Sequence, residues 1–223
     1  MLDPDANEVA ERLAEVRARL DVAAAGRSVQ LVAVAKRQPE ARVEAALAVG
    51  QRLFGENYVQ EAARRWSARR ENLPDLRLHL VGPLQTNKAK DAVALFDVVQ
   101  TLDRPKLAHA LARAAESAGR CPELLIEVNT GEEVQKAGVP PGELEPLLRL
   151  ARDELRLPVV GLMCIPPADE QPALHFALLR KLAERHGLPE LSMGMSDDYE
   201  VAAAFGATLV RVGTAVFGPR PTP

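Results

Sequence analysis

Eight short apolar runs, each followed by a longer amphipathic stretch, constrain the fold of this chain more than any other feature. The runs fall at residues 30–35, 52–54, 77–81, 98–102, 123–128, 159–165, 190–193 and 209–212. After a leading helix near 7–25, helix-length stretches fall at 39–49, 59–70, 87–96, 105–118, 142–153, 171–186 and 197–205. Near-continuous apolar runs of this length read as strands buried on both faces, and a helix between successive strands is the connection a parallel sheet needs. Proline and glycine punctuate the gaps, as at Gly50, Pro74, Pro140-Pro141-Gly142 and Gly187-Leu188-Pro189. Eight units in 223 residues, with no linker between them, predict a single α/β domain over 1–223, a (β/α)8 TIM barrel with an extra N-terminal helix. That helix either plugs the barrel floor or joins the outer ring. An open doubly wound sheet has fewer strands, and the sequence contains neither a Gly-x-Gly-x-x-Gly nor a Walker-type loop.

Composition narrows the partners. Hydrophobic residues make up 47% of the chain and charged residues 26%, enough to build a full core. With 28 basic against 31 acidic residues the net charge is -3, which argues against nucleic acid as the main partner. The acidic opening Met1-Leu2-Asp3-Pro4-Asp5 has no signal-peptide character, and no apolar run spans a bilayer, so a cytoplasmic protein with no membrane contact is expected. Cys121 and Cys164 are too few and too distant for a disulfide framework, and the four histidines show no metal-ligand spacing. No metal site is expected.

Barrels carry their chemistry on the loops after the strands, so the residues there form one candidate site. Lys36 closes the first run. Alone it reads first as a strand-end ammonium snorkelling to water, but an amine held near apolar surroundings loses basicity and can condense with a carbonyl. The other strand ends bring Asn57, Gly82, Asp103, Asn129, Cys164, the segment Ser192-Met193-Gly194-Met195-Ser196, and Gly213-Thr214. Each of these is also compatible with a helix cap or a tight turn. The last two loops suit a phosphate, through the hydroxyls of Ser192 and Ser196 and through backbone freed by Gly194 and Gly213. Asp197 and Asp198 count against an anion directly over the helix that follows, where Asp197 and Glu200 resemble a capping box. Arg211, alternating with Val210 and Val212, points into the barrel and needs a partner there, such as Glu127.

A lysine able to form an imine, a phosphate site after strands 7 and 8, and an inward arginine together point to pyridoxal 5'-phosphate. Several ordered blocks then resemble the YggS/PROSC family of pyridoxal phosphate homeostasis proteins. They include Ala33-Val34-Ala35-Lys36, Phe54-Gly55-Glu56-Asn57-Tyr58-Val59-Gln60-Glu61, His79-Leu80-Val81-Gly82-Pro83-Leu84-Gln85-Thr86-Asn87-Lys88, Leu191-Ser192-Met193-Gly194-Met195-Ser196-Asp197-Asp198 and Val210-Arg211-Val212-Gly213-Thr214. The blocks run from near residue 30 to residue 218.

The resemblance implies a barrel like the N-terminal domain of alanine racemase (PLP fold type III), with the cofactor held as an internal aldimine on Lys36. By position, Ser192, Met193, Gly194, Ser196, Gly213 and Thr214 then hold the phosphate, Arg211 faces the pyridine nitrogen, and Asn57 lies by the ring or its phenolic oxygen. The family often has Ser and Thr flanking the lysine, where this chain has Ala35 and Arg37, so Arg37 brings a new charge to that loop.

An arginine facing the pyridine nitrogen leaves it unprotonated and the ring a weak electron sink. The second acid-base group of alanine racemase comes from a separate β-domain, and this chain ends shortly after Gly218. The expectation is therefore a monomeric, non-catalytic vitamin B6 homeostasis protein that buffers pyridoxal phosphate or delivers it to cofactor-dependent apo-enzymes. Lys88 and Lys136 sit at the rim, where each is a surface lysine or a second phosphate ligand. The alternatives are a pyridoxal-phosphate-dependent amino-acid racemase and a cofactor-free Schiff-base aldolase.

Overall fold

The computed structural model describes residues 4–219. Its eight strands are β1 Gln30–Val34, β2 Leu53–Glu56, β3 Arg77–Leu80, β4 Val98–Leu102, β5 Glu123–Glu127, β6 Val159–Met163, β7 Glu190–Ser192 and β8 Leu209–Val212. All pair in parallel and in sequence order, and β8 closes on β1 through Gln30 opposite Leu209 and Ala33 opposite Val212. The predicted (β/α)8 barrel is the observed fold.

The helices are α1 Pro4–Ala24, α2 Glu40–Ala48, α3 Val59–Asn72, α4 Ala89–Leu95, α5 Pro105–Ala118, α6 Leu144–Arg149, α7 Pro172–His186, α8 Tyr199–Ala204 and α9 Thr214–Phe217. Local chemistry sets the sharper ends: Pro105 opens α5, where its missing N–H is no loss, and Gly119 ends it at φ +63°. The stretch expected as one helix over 142–153 is instead a 3-10 turn at Pro141–Glu143, then α6, then a π-turn at Leu150–Glu154. The short helix α9 had no counterpart among the predicted elements. Among the described residues, no helix is long and apolar enough to cross a membrane.

Val9, Leu13, Val16, Leu20 and Ala24 of α1 are buried at spacings of three and four, which makes one apolar face. That face packs on α2, α8 and α9, so α1 joins the outer ring instead of plugging the floor. Most of the core lies between strands and helices. A second, smaller cluster of Val32, Val98, Leu125, Met163 and Leu209 comes from five different strands and fills the barrel interior.

Candidate functional site

Strand periodicity lifts a polar layer above this apolar interior. Residues two apart share a face, so Gln100 stands above Val98, Glu127 above Leu125 and Arg211 above Leu209. On β1 the step runs from Val32 to Val34 and delivers Lys36 just beyond the strand. Gly55 on β2 leaves space for that face, since a Cβ there would lie 3.0 Å from Val32 and 3.3 Å from Val34.

Lys36, Asn57, Ser196, Arg211, Gly213 and Thr214 converge on one cleft of about 300 Å³, walled by Val34, Val81, Ile165 and Met195. Gly82 fixes the Asn57 side, because a Cβ at Gly82 would fall on the Asn57 backbone carbonyl. The loops after β7 and β8 are joined where Ala215 N–H donates to Ser196 Oγ at 3.2 Å. Asp197 also lines the cleft but is exposed, and Asp198 turns its carboxylate back to accept the Met195 N–H at 2.6 Å. The predicted capping box does not form: Glu200 pairs with Arg19 of α1 at 2.5 Å instead.

Arg211 is buried. Its Nη1 donates to Ser192 Oγ at 2.7 Å and its Nη2 to the Cys164 carbonyl at 2.9 Å. These bonds, and not one to Glu127, satisfy its guanidinium; Glu127 contributes only its field. Ser192 in turn donates to Gln100 Oε1 at 2.6 Å, and Gln100 Nε2 donates to His79 Nδ1 at 2.7 Å. His79 thus accepts through Nδ1 and is neutral, and burial, with Arg77 adding to it, pushes its pKa down to about 3. Burial and the nearby Asp103 push Glu127 up to about 7, against the pull of Arg211.

Three of the expected phosphate ligands are not among the residues that line the cleft. Ser192 and Met193 are fully buried, the first spent on Arg211 and Gln100 and the second in the outer core. Gly194, at φ +93°, is required by packing, since a Cβ would stand 2.5 Å from that of Ala202. Arg37 is exposed and lies off the cleft lining. Lys88 lines a neighbouring hollow of about 460 Å³ with Tyr58 and Arg104, while Lys136 pairs with Glu133 at 2.5 Å. Gln100 and His79 were not among the predicted site residues. Each is a polar residue inside an apolar strand run, and that signal alone could have marked them.

Another hollow of about 460 Å³ lies at the N-terminal ends of the strands. Its arginines are engaged, Arg17 with Gln51, Arg52 with Asp75 and Arg77 with Glu123, and barrels carry their chemistry at the opposite end. Among the described residues, no group of three or more His, Cys, Asp or Glu side chains could hold a metal ion. The donor set of the upper cleft includes an amine, a guanidinium, two hydroxyls and the backbone at Gly213. It fits an anionic group that also carries a carbonyl and a ring nitrogen, as pyridoxal phosphate does.

Comparison with known proteins agrees. The alanine racemase, N-terminal domain family matches residues 5–221. A protein of Pseudomonas aeruginosa named pyridoxal phosphate homeostasis protein is 44% identical over 223 residues, covering 95% of this chain and 96% of its own. The protein of that name from Escherichia coli (strain K12) is 36% identical over 228 residues, covering 96% and 97%. The structure of PipY from Synechococcus elongatus PCC7942 with PLP bound superposes with a TM-score of 0.82 at 40% identity, over 94% of this chain and 100% of that one. This chain therefore belongs to the alanine racemase N-terminal domain family, among its pyridoxal phosphate homeostasis proteins.

Proposed function

We propose that this protein binds pyridoxal phosphate in the upper cleft, holds it on Lys36, and buffers it or hands it to apo-enzymes without turning over a substrate. The observation that carries this reading is the convergence of Lys36, Arg211 and the Ser196, Gly213 and Thr214 loops on one cleft. When bound, the cofactor supplies an aldehyde that condenses with an amine, releasing water. Lys36 offers that amine, while Ser196, Thr214 and the backbone around Gly213 offer donors to a phosphate. Arg211 offers a fixed donor to a ring nitrogen, held in aim by Ser192 and the Cys164 carbonyl.

Two features support binding over catalysis. A guanidinium keeps a ring nitrogen unprotonated and so favours storage over carbanion chemistry. Neither phenol of the chain lines the cleft: Tyr58 faces the adjacent hollow, and Tyr199 is buried beneath Arg19. Borohydride treatment of the protein loaded with pyridoxal phosphate tests the reading, with the cofactor mass expected on the peptide containing Lys36. A loaded protein without that adduct would sink it. Rapid exchange of an amino-acid α-proton in deuterated water would favour a racemase instead.

A further inference from the structure

Resting on that reading, we infer that Arg65 is a positioning residue that sets the aim of Lys36. Residues 35 to 38 form a β-turn closed by Gln38 N–H donating to the Ala35 carbonyl at 3.0 Å. Lys36 occupies its first central position and Arg37 its second, and Arg37 adopts φ +56°. A side chain in this left-handed region is disfavoured, so something outside the turn has to hold it.

Helix α3 supplies the hold. Arg65 donates through Nη1 to the Ala35 carbonyl at 2.7 Å and through Nη2 to the Gln38 carbonyl at 2.8 Å, gripping both corners of the turn. From the same helix, Glu61 accepts the Arg37 N–H at 3.1 Å. The Arg65 side chain is 8% exposed and needs charge balance. Nη1 also donates to Glu56 Oε1 at 2.8 Å, and Nε donates to Glu40 Oε1 at 2.8 Å. Glu56 is fully buried at the end of β2, where Trp66 Nε1 donates to the same oxygen at 2.9 Å.

Four directed bonds in the planar fork of one guanidinium thus tie β2, α2 and α3 to the turn carrying Lys36. A charged group this buried and this fully committed is more than a surface ion pair. Arg69, one turn further along α3, makes a useful contrast. It pairs with Glu40 and Glu44 and donates to the Arg65 carbonyl, and its hydrogen bonds to described residues do not include one to residues 35–38.

The test compares two ligands on the same proteins. Pyridoxal 5'-phosphate can condense with Lys36, whereas pyridoxamine 5'-phosphate has an amine in place of the aldehyde and cannot. Arg65→Gln is expected to weaken pyridoxal phosphate binding about tenfold, with less than about a twofold effect on pyridoxamine phosphate. Arg65→Lys, which keeps the charge and still reaches a carbonyl, recovers much of the loss, and Arg69→Gln changes neither ligand. Glu61→Ala, at a less buried position, gives a smaller loss confined to pyridoxal phosphate and serves if Arg65→Gln does not fold. Equal losses on both ligands, or no loss on either, would overturn the inference. Absence of a Lys36 adduct in the unmodified protein would instead refute the cofactor reading beneath it.

Discussion

Arg211 donates to the Ser192 hydroxyl over 2.7 Å, at the head of a chain in which Ser192 donates to Gln100 and Gln100 to His79. The chain runs in one direction because its first member is only a donor and its last presents an unprotonated nitrogen. Each hydroxyl or amide between has one role left open by its neighbour. A strand-end serine thus serves the barrel interior, and the donor facing the cleft gains a fixed orientation.

Ser192→Ala removes the middle of that chain and leaves the buried Gln100 carbonyl without its donor. Urea unfolding should show a loss of about 1–3 kcal/mol. A change below about 0.5 kcal/mol would mean that the chain contributes little.

The pH dependence of stability should expose His79 and Glu127 with opposite signs. His79 has its pKa lowered from 6.5 to about 3, so the unfolded chain binds this proton first and stability falls as pH drops from 6.5 towards 3. Glu127 has its pKa raised from 4.5 to about 7, so its contribution is present below 4.5 and lost as pH rises towards 7. Between 4.5 and 6.5 the two slopes oppose each other. Glu127→Gln should therefore gain stability relative to the unmodified protein as pH rises through 4.5 to 7, by at most about 1.4 kcal/mol per unit, in denaturant titrations across that range. Parallel curves for the two proteins would contradict the raised Glu127 pKa.

Gly82→Ala would drive a Cβ into the Asn57 backbone. We expect a loss of about 1–3 kcal/mol together with weaker ligand binding, because Asn57 has to move off the cleft wall. Gly119→Ala separates strain from crowding: it meets no neighbour within 4 Å and should cost about 1 kcal/mol from its φ of +63° alone, with binding unchanged. Thermal unfolding and ligand titration of both variants check the contrast.

Trp66→Phe keeps a ring against Phe54 but deletes the Nε1 donor to Glu56 Oε1, whose partner oxygen Oε2 already lacks a hydrogen bond. Stability should fall by about 1–3 kcal/mol. An unchanged unfolding midpoint would show that Arg65 alone satisfies the Glu56 carboxylate.

Legibility was uneven along the chain. Strands β4 and β8 and helix α5 match their predicted bounds, because short, mostly apolar runs between turn residues and a Pro-to-Gly frame are local signals. Of the expected phosphate ligands, Ser196, Gly213 and Thr214 line the cleft, whereas Ser192, Met193 and Gly194 do not. Ser192 ends β7 with its hydroxyl bonded to Arg211 and Gln100, and Gly194 packs against Ala202. Gln100, His79 and Arg65 went unseen as a group because their partners lie far away in sequence.

The sequence by itself determined the barrel, the place of Lys36 at the end of β1, and the family, since period, length and motif are written in neighbouring residues. The tertiary structure alone decided that Ser192 braces Arg211 and that Arg65 of α3 grips the turn of Lys36. Both depend on barrel closure and register, which bring residues 19 and 30 positions apart within hydrogen-bond reach. Alternation along a strand predicts which residues face the interior, but not which distant side chain meets them there.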